Sequence, residues 1–331
     1  MQKTITLVYG NGGEENNQLI QEIFYRAFKN DILQKSEDAA VLPSFSKIAM
    51  STDSFTVSPL FFRGGNIGKL SVCGTCNDLA MMGAKPKFLS ISFIIEEGFL
   101  LKDLKKIVKS IKEELELNDA KIVTGDTKVM PKGTIDKLVI NTTGIGEVKK
   151  DGISASSLKE NDVILVSRDI GCHGGVIFLE REEVKMQSDL KSDCASLYPI
   201  VEKLIEADLN IKALRDATRG GIGALLNEWA RKSNVCIEIE QKQIPVSQEV
   251  NGICELLGFE PMYLANEGTF CVAVDQKDAS FALEILRSFN PNASIIGKVT
   301  SNYPQKVVLH NEYGTKRFLE MPTGELLPRI C

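Results

Sequence analysis

Apolar residues in this chain switch repeatedly between two spacings, and that alternation limits the fold more than any other feature. Leu19, Ile20, Ile23, Phe24, Ala27 and Phe28 recur at the interval that places them on one side of a helix. Leu101, Leu104, Ile107, Val108, Ile111 and Leu115 do the same, with Lys and Glu filling the opposite side. Between these stretches lie short runs with strand character: Lys47–Ser51, Phe88–Ile95, Lys121–Val123 and Leu138–Gly144. The mixture then starts again. Strands are expected near Val163–Ser167, Val235–Glu240, Thr269–Val274 and Lys306–Leu309, and helices near Leu197–Glu206, Ile222–Lys232 and Ser280–Phe289. Interleaving of this kind makes an α/β chain. At 331 residues it is long for one domain and short for three. The Lys-Lys-Asp-Gly and serine cluster of Lys149–Ser157 interrupts the pattern near the middle, so two units are expected, 1–150 and 151–324. No short repeat period is visible, which argues against a solenoid.

Composition narrows the classes further. Hydrophobic residues at 43% and charged residues at 25% are globular proportions and exclude a disordered or collagen-like chain. A net charge of −5 leans away from a whole-chain nucleic-acid binder or a polybasic membrane protein. No apolar run reaches the roughly 18 residues of a membrane span, and Met1–Thr6 passes into mixed polar sequence without a signal-peptide core. A cytoplasmic, reducing location is therefore expected, in which the eight cysteines are thiols, not a disulfide framework. Two histidines, His173 and His310, leave little room for a histidine-rich metal site.

Several segments suggest anion or metal chemistry. Gly64-Gly65-Asn66-Ile67-Gly68-Lys69-Leu70 fails as a Walker loop, because Leu follows the Gly-Lys pair and the first glycine is one residue too close. Gly144-Ile145-Gly146 lacks the third glycine of a dinucleotide fingerprint. What survives is a glycine-rich helix start, which can offer backbone N–H groups to an anion. Asp216-Ala217-Thr218-Arg219-Gly220-Gly221 has the same character, with the Arg219 fork as a phosphate donor. Asp38, Asp53, Asp78, Asp126 and Asp216 each stand where a regular element meets a Gly, Ser or Thr-rich turn. Converging, they would suit Mg²⁺ on nucleotide phosphates; taken singly, each reads as a cap or turn residue. Cys73-Gly74-Thr75-Cys76 is a redox pair, half a zinc site, or small thiols in a packed helix with Leu70, Leu79, Ala80 and Met81; lacking a second pair, the packed helix is favoured. Beyond Met321-Pro322-Thr323-Gly324, the stretch 325–331 is too short for a core element and is expected to be a flexible extended arm ending in the thiol of Cys331. Such an arm can show a thiol to a partner and withdraw it; an accidental terminal cysteine is the alternative.

Taken together and in order, the motifs resemble the HypE family of hydrogenase maturation proteins over essentially the whole chain. Those carrying the resemblance are Ser51-Thr52-Asp53-Ser54-Phe55, Ser58-Pro59-Leu60-Phe61-Phe62, Gly64 to Leu70, Asn77-Asp78-Leu79-Ala80 and Glu96-Glu97-Gly98. Further along come Thr124-Gly125-Asp126-Thr127-Lys128-Val129, Asn141-Thr142-Thr143-Gly144, Arg215 to Gly221, Asn266-Glu267-Gly268 and Pro328-Arg329-Ile330-Cys331. The resemblance implies the two-domain PurM-like ATP-binding fold shared with aminoimidazole ribonucleotide and selenophosphate synthetases, with N-terminal strands forming a dimeric β-barrel. Residues 1–150 would then bind ATP and Mg²⁺ and dimerise. It implies that a carbamoyltransferase, HypF, places a carboxamide on the terminal thiol and that ATP-dependent dehydration turns it into a thiocyanate. The cyano group would pass to iron on a HypC–HypD scaffold during [NiFe]-hydrogenase assembly. No nucleic-acid or membrane partner is expected.

Chemistry fits that reaction, since an amide oxygen leaves readily only once phosphorylated and the N–H protons must be removed as C≡N forms. On this reading Cys331 is the covalent carrier, Glu267 the candidate proton acceptor and Lys128 a phosphate stabiliser or deprotonation aid. Asp53, Asp78, Asp126 and Asp216 are candidate magnesium ligands. Asp38, Asn66, Gly68, Lys69, Asn141, Thr142, Arg219 and Gly220 are candidates at the nucleotide. Three positions depart from the family pattern: Tyr9 where His is common before Gly10-Asn11-Gly12-Gly13, Cys172 where Asp often precedes His-Gly, and Cys76 at a usually aliphatic or small position. They argue against a role for His173 and add candidate redox sensitivity at the cysteines. The rival readings are another ATP-using member of the superfamily, acting on a purine precursor or selenide, and a non-enzymatic thiol carrier.

Overall fold

A computed structural model describes residues 4–10, 13–181, 188–311, 313–323 and 330–331. Chain order begins with α1 (Glu14–Leu19), β1 (Ile48–Phe55), the small hairpin β2 (Phe61–Phe62) and β3 (Gly65–Asn66), and α2 (Ile67–Met81). It continues with β4 (Ala84–Glu96), α3 (Leu101–Leu117), β5 (Lys121–Met130) and β6 (Leu138–Val148). These strands make a four-stranded sheet in the order β1-β6-β4-β5. Past residue 148 come β7 (Val163–Val166), α4 (Cys172–Arg181), α5 (Tyr198–Glu206), β8 (Ile211–Asp216), α6 (Gly221–Ser233) and β9 (Cys236–Glu240). The rest is α7 (Gln248–Leu257), β10 (Phe270–Val274), α8 (Ala279–Phe289), β11 (Ser294–Thr300), β12 (Val307–His310) and β13 (Lys316–Phe318). A second sheet follows the order β13-β12-β9-β11-β7-β10-β8. The expected mixed α/β fold is present.

Helix α2 joins the two halves. Every residue in it except Lys69 and Asp78 is buried, because it is apolar or small on all sides and packs against β1, β4 and β6 on one flank and β8 and α5 on another. A Cβ on Gly68 would lie 2.4 Å from the Ile107 carbonyl oxygen, and one on Gly74 would lie 2.8 Å from the Phe55 ring. Small residues therefore set how closely α2 approaches α3 and β1. Cys73 and Cys76 are buried thiols within this helix, and all eight cysteines are free.

Strands β4 and β6 alternate buried and half-exposed residues. Ile91, Phe93, Ile140 and Thr142 are buried with the row that faces α2, while Ser92, Ile94, Asn141 and Thr143 belong to the open row. The sheet thus has one covered and one uncovered face. Strand β5 outruns its expected span of 121–123: the polar Thr124–Lys128 continues it, because the parallel ladder with β4 holds the backbone and an edge strand tolerates charge. The expected elements do not include β8, β11, α4 or α7, although in α7 Val250, Ile253, Cys254 and Leu257 do recur at helical spacing. Among the described residues, no helix is long and apolar enough to cross a membrane.

Candidate active site

A cleft of about 870 Å³ opens between the two sheets, lined in part by Asp53, Asp78, Asp216, Arg219, Glu267 and Cys331. Each arrives from a different element. Asp53 projects from β1, Asp78 is one of the two residues of α2 left unburied, and Asp216 ends β8. Arg219 precedes Gly220, whose φ of +68° begins α6 in a left-handed turn that glycine adopts without strain. Ser51 Oγ donates to Asp78 Oδ2 at 2.6 Å.

Too many carboxyls share this space for all to ionise freely. Burial, then the Asp78 charge and a hydrogen bond with Asp78, push Asp53 up to about 6, against the pull of Arg219. Burial and the nearby Asp78 charge push Asp216 up to about 7, opposed by Arg215. Glu267 is raised well above the usual carboxylate range by burial and by Asp216, Asp193 and Asp53, with Arg219 opposing.

Glu267 sits in a fixed turn. Asp193 Oδ2 accepts from the Glu267 and Gly268 N–H groups at 3.2 and 2.9 Å and from Thr269 Oγ1 at 2.8 Å. Glu267 Oε1 is buried without a hydrogen-bond partner, as is Asp53 Oδ2. A Cβ on Gly268 would stand 1.8 Å from the Asp193 carbonyl oxygen. Gly268→Ala therefore has to displace backbone, and urea unfolding is expected to show a loss of about 2 kcal/mol or more.

The sulfur reaches the same cleft from the chain's last residue. The Thr56 N–H donates to the Cys331 main-chain oxygen at 3.0 Å, and the Ile330 carbonyl lies 2.8 Å from His173 Nε2. Burial and the Glu267 charge push the Cys331 thiol up to about 11, against Arg219, so the docked sulfur rests protonated.

The other candidates lie elsewhere. Asn66 is the N-cap of α2, its Oδ1 accepting from the Gly68 and Lys69 N–H groups at 2.8 and 3.2 Å, so the expected anion-binding helix start is closed by its own side chain. Lys69 Nζ pairs with Glu114 at 3.4 Å, away from the cleft lining. Asn141 Nδ2 donates to the Asp53 carbonyl at 2.8 Å and so pins β1 beside the site. Thr142 is buried, 2.6 Å from Thr75 Oγ1. Asp38 and Asp126 line a second cavity of about 220 Å³ with Phe24, Phe28 and Phe93. Asp126 and Lys128 are exposed and 3.5 Å apart. Across the sheet Asp126 faces Ser92, Ser92 faces Asn141 and Asn141 faces Ser54. Three strand spacings, roughly 14 Å, thus separate Asp126 from the edge that carries Asp53. One chain does not bring Asp38, Asp126 and Lys128 to the other carboxylates.

Sequence reasoning missed Thr56, Ser192 and Asp193, whose parts come from long-range contacts no local signal marks. His173 had a signal in its His-Gly pair. Of the expected arm 325–331, only Ile330 and Cys331 are among the described residues.

Residues 36–148 match the family described as AIR synthase related protein, N-terminal domain, and residues 159–310 its C-terminal domain. Carbamoyl dehydratase HypE of Escherichia coli (strain K12) is 43% identical over 99% of each chain. Carbamoyl dehydratase HypE of Rhodobacter capsulatus is 38% identical over 99% of this chain and 98% of its own. A crystal structure of hydrogenase maturation protein HypE in complex with ATP superposes with a TM-score of 0.96 at 42% identity, covering 99% of this chain and 100% of that one. A HypE–HypF complex gives 0.80 at 46% identity, over 92% of this chain and 99% of the other.

Proposed function

This chain belongs to the carbamoyl dehydratase HypE family of hydrogenase maturation proteins, and we propose that it dehydrates a carboxamide carried on its own Cys331 to a thiocyanate, with ATP as co-substrate. One observation carries the assignment to these residues: Cys331 lines the same cleft as Glu267, Arg219 and the carboxylates Asp53, Asp78 and Asp216.

Phosphoryl transfer to the carboxamide oxygen turns that oxygen into a leaving group, and Arg219 faces the negative charge that gathers there. Removal of one N–H proton gives the imidate. Loss of the second proton with phosphate departure leaves S–C≡N, the amide oxygen ending on phosphate. Glu267 is the proton acceptor: its free, buried Oε1 and a pKa raised by burial and neighbouring carboxylates suit a general base.

The carboxylates also fit a divalent cation. Asp53 Oδ2 is buried and unpartnered, and Asp53 and Asp78 lie within hydrogen-bonding reach of one another. Among the described residues no three His, Cys, Asp or Glu groups stand ready to hold a metal. Mg²⁺ takes one or two carboxylates and completes its shell with water and substrate phosphates. Asp53 and Asp78 would hold it, with the Asp216 charge nearby, and it would neutralise charge on the phosphates. Without cation, raised carboxyl pKa values make the folded state bind more protons than the unfolded one between about pH 4 and pH 7, so stability falls as pH rises through that window. Mg²⁺ should accordingly raise Tm by several degrees at pH 7.5 and by little at pH 5, read by differential scanning fluorimetry.

The chain is proposed to act as a cytoplasmic homodimer with HypF as carbamoyl donor and a HypC–HypD scaffold as acceptor. Units 1–150 and 151–324 are proposed as its two domains, with 325–331 as the carrier segment. The uncovered face of the four-stranded sheet carries exposed Ile48 and Met50, apolar surface suited to a second copy. A barrel closed by that copy offers Asp38, Asp126 and Lys128 a route to a cleft that one chain denies them. Intact-mass spectrometry after incubation with carbamoyl phosphate, transferase and ATP tests the whole reading. A carboxamide adduct that loses the mass of one water only with hydrolysable ATP is expected; an adduct that persists unchanged marks a carrier without catalysis.

A further inference from the structure

Ile330 and Cys331 are gripped by their main chain from two sides. The Thr56 N–H, just past β1, and the Thr56 hydroxyl reach the Cys331 oxygen at 3.0 and 3.3 Å. Opposite, His173 on α4 meets the Ile330 carbonyl at 2.8 Å. His173 is itself fully buried, with the Phe62 ring against its edge at a centroid distance of 5.3 Å. Its second nitrogen, Nδ1, lies 2.8 Å from Ser192 Oγ, which in turn accepts from the Cys194 N–H at 3.1 Å.

These contacts fix a direction of donation. A carbonyl only accepts, so Nε2 must carry a proton toward Ile330. A hydroxyl donates once and accepts twice, so Ser192 Oγ can accept from Cys194 and give its hydrogen to an unprotonated Nδ1. Burial lowers the His173 pKa and keeps the ring neutral. The imidazole is thus held in the Nε2–H form by a run of bonds beginning at the Cys194 backbone and ending on the arm.

We infer that His173, oriented by Ser192, is a positioning residue that holds the Ile330 carbonyl and thereby sets the Cys331 sulfur in the cleft. The grip reads backbone, so it acts whether or not the sulfur carries a group. It touches no reacting atom. The inference rests on the reading of Cys331 as carrier, but its first test uses unloaded protein and stands apart from that reading.

Iodoacetamide labelling, followed by peptide mapping at each cysteine, reads the docked fraction. Loss of one hydrogen bond in His173→Ala should speed Cys331 labelling roughly threefold to tenfold, with the seven buried thiols still protected. His173→Gln, whose amide can donate to the same carbonyl, should restore slow labelling, and Ser192→Ala should fall between. In single-turnover assays of preloaded protein, His173→Ala should slow water loss by a similar factor without slowing carbamoylation by the transferase. Unchanged Cys331 labelling in His173→Ala and Ser192→Ala overturns the inference. So does acceleration that appears only when all eight thiols react, which assigns His173 to the fold alone. If labelling responds as expected while no water is lost in wild type, the grip stands and the dehydratase reading falls.

Discussion

Cys331→Ala should leave a folded protein that forms no carboxamide adduct and delivers no cyano group, a loss of at least about 10³-fold that intact-mass analysis reads as absence of any adduct. The size follows from the carrier role, since no other thiol can substitute. Cys73, Cys76, Cys172, Cys194, Cys236, Cys254 and Cys271 are all buried in the interior, whereas Cys331 alone is half-exposed. Its removal costs little packing, so Tm should change by a degree or two at most. The raised thiol pKa adds a second expectation. Burial near Glu267 disfavours the thiolate of the docked sulfur, but an S-carboxamide has no charge to penalise. The cleft therefore holds the loaded arm more readily than the thiolate, and the nucleophilic step of loading belongs outside it. Modification of wild-type Cys331 by a small alkylator should be slow at pH 8 and faster in urea below the unfolding midpoint. An adduct formed on Cys331→Ala at another cysteine would sink the carrier assignment.

How much of this was readable in advance differs from residue to residue. The helical stripe of Leu104, Ile107, Val108, Ile111 and Leu115 predicts α3, because a surface helix needs an apolar side whatever its partner. Helix α2 carries no such stripe, and its burial shows only once β1, β8 and α5 are placed around it. Asp53, Asp78 and Asp216 were visible as carboxylates beside turn-forming residues, and the fold does bring them together. Asp126 carries the same local signal yet stands at the far edge of its sheet. Sequence neighbours tell where a carboxylate leaves its element, and strand order tells which others it can meet. Asn66 illustrates the reverse case. Its place before Gly-Lys reads as an anion loop, but its side chain satisfies the helix's own N–H groups. Asp193 gave no signal at all, because its work is to hold a turn 74 residues further along the chain.

Glu267→Gln should preserve loading and stop dehydration. The carboxamide adduct is expected to accumulate while water loss slows by about 10² to 10⁴, the range a positioned base supplies. The amide side chain keeps the size of the carboxylate, and the turn is held through backbone N–H groups donating to Asp193, so folding should survive. The wild-type pH profile should then report the same group. A base must be ionised to act, and Glu267 is raised by burial and by Asp216, Asp193 and Asp53, so single-turnover dehydration should climb with pH along an acid limb lying well above the ordinary carboxylate range. Arg219 is the charge that opposes this rise. Arg219→Gln removes it and should carry the acid limb to still higher pH, in addition to slowing the plateau through lost stabilisation of the phosphorylated oxygen. Bound cation works in Arg219's direction, so the limb should move to lower pH as Mg²⁺ is raised toward saturation. A limb that stays in place in Arg219→Gln, or a Glu267→Gln protein that still converts carboxamide to thiocyanate at the wild-type rate, would assign the proton to another acceptor.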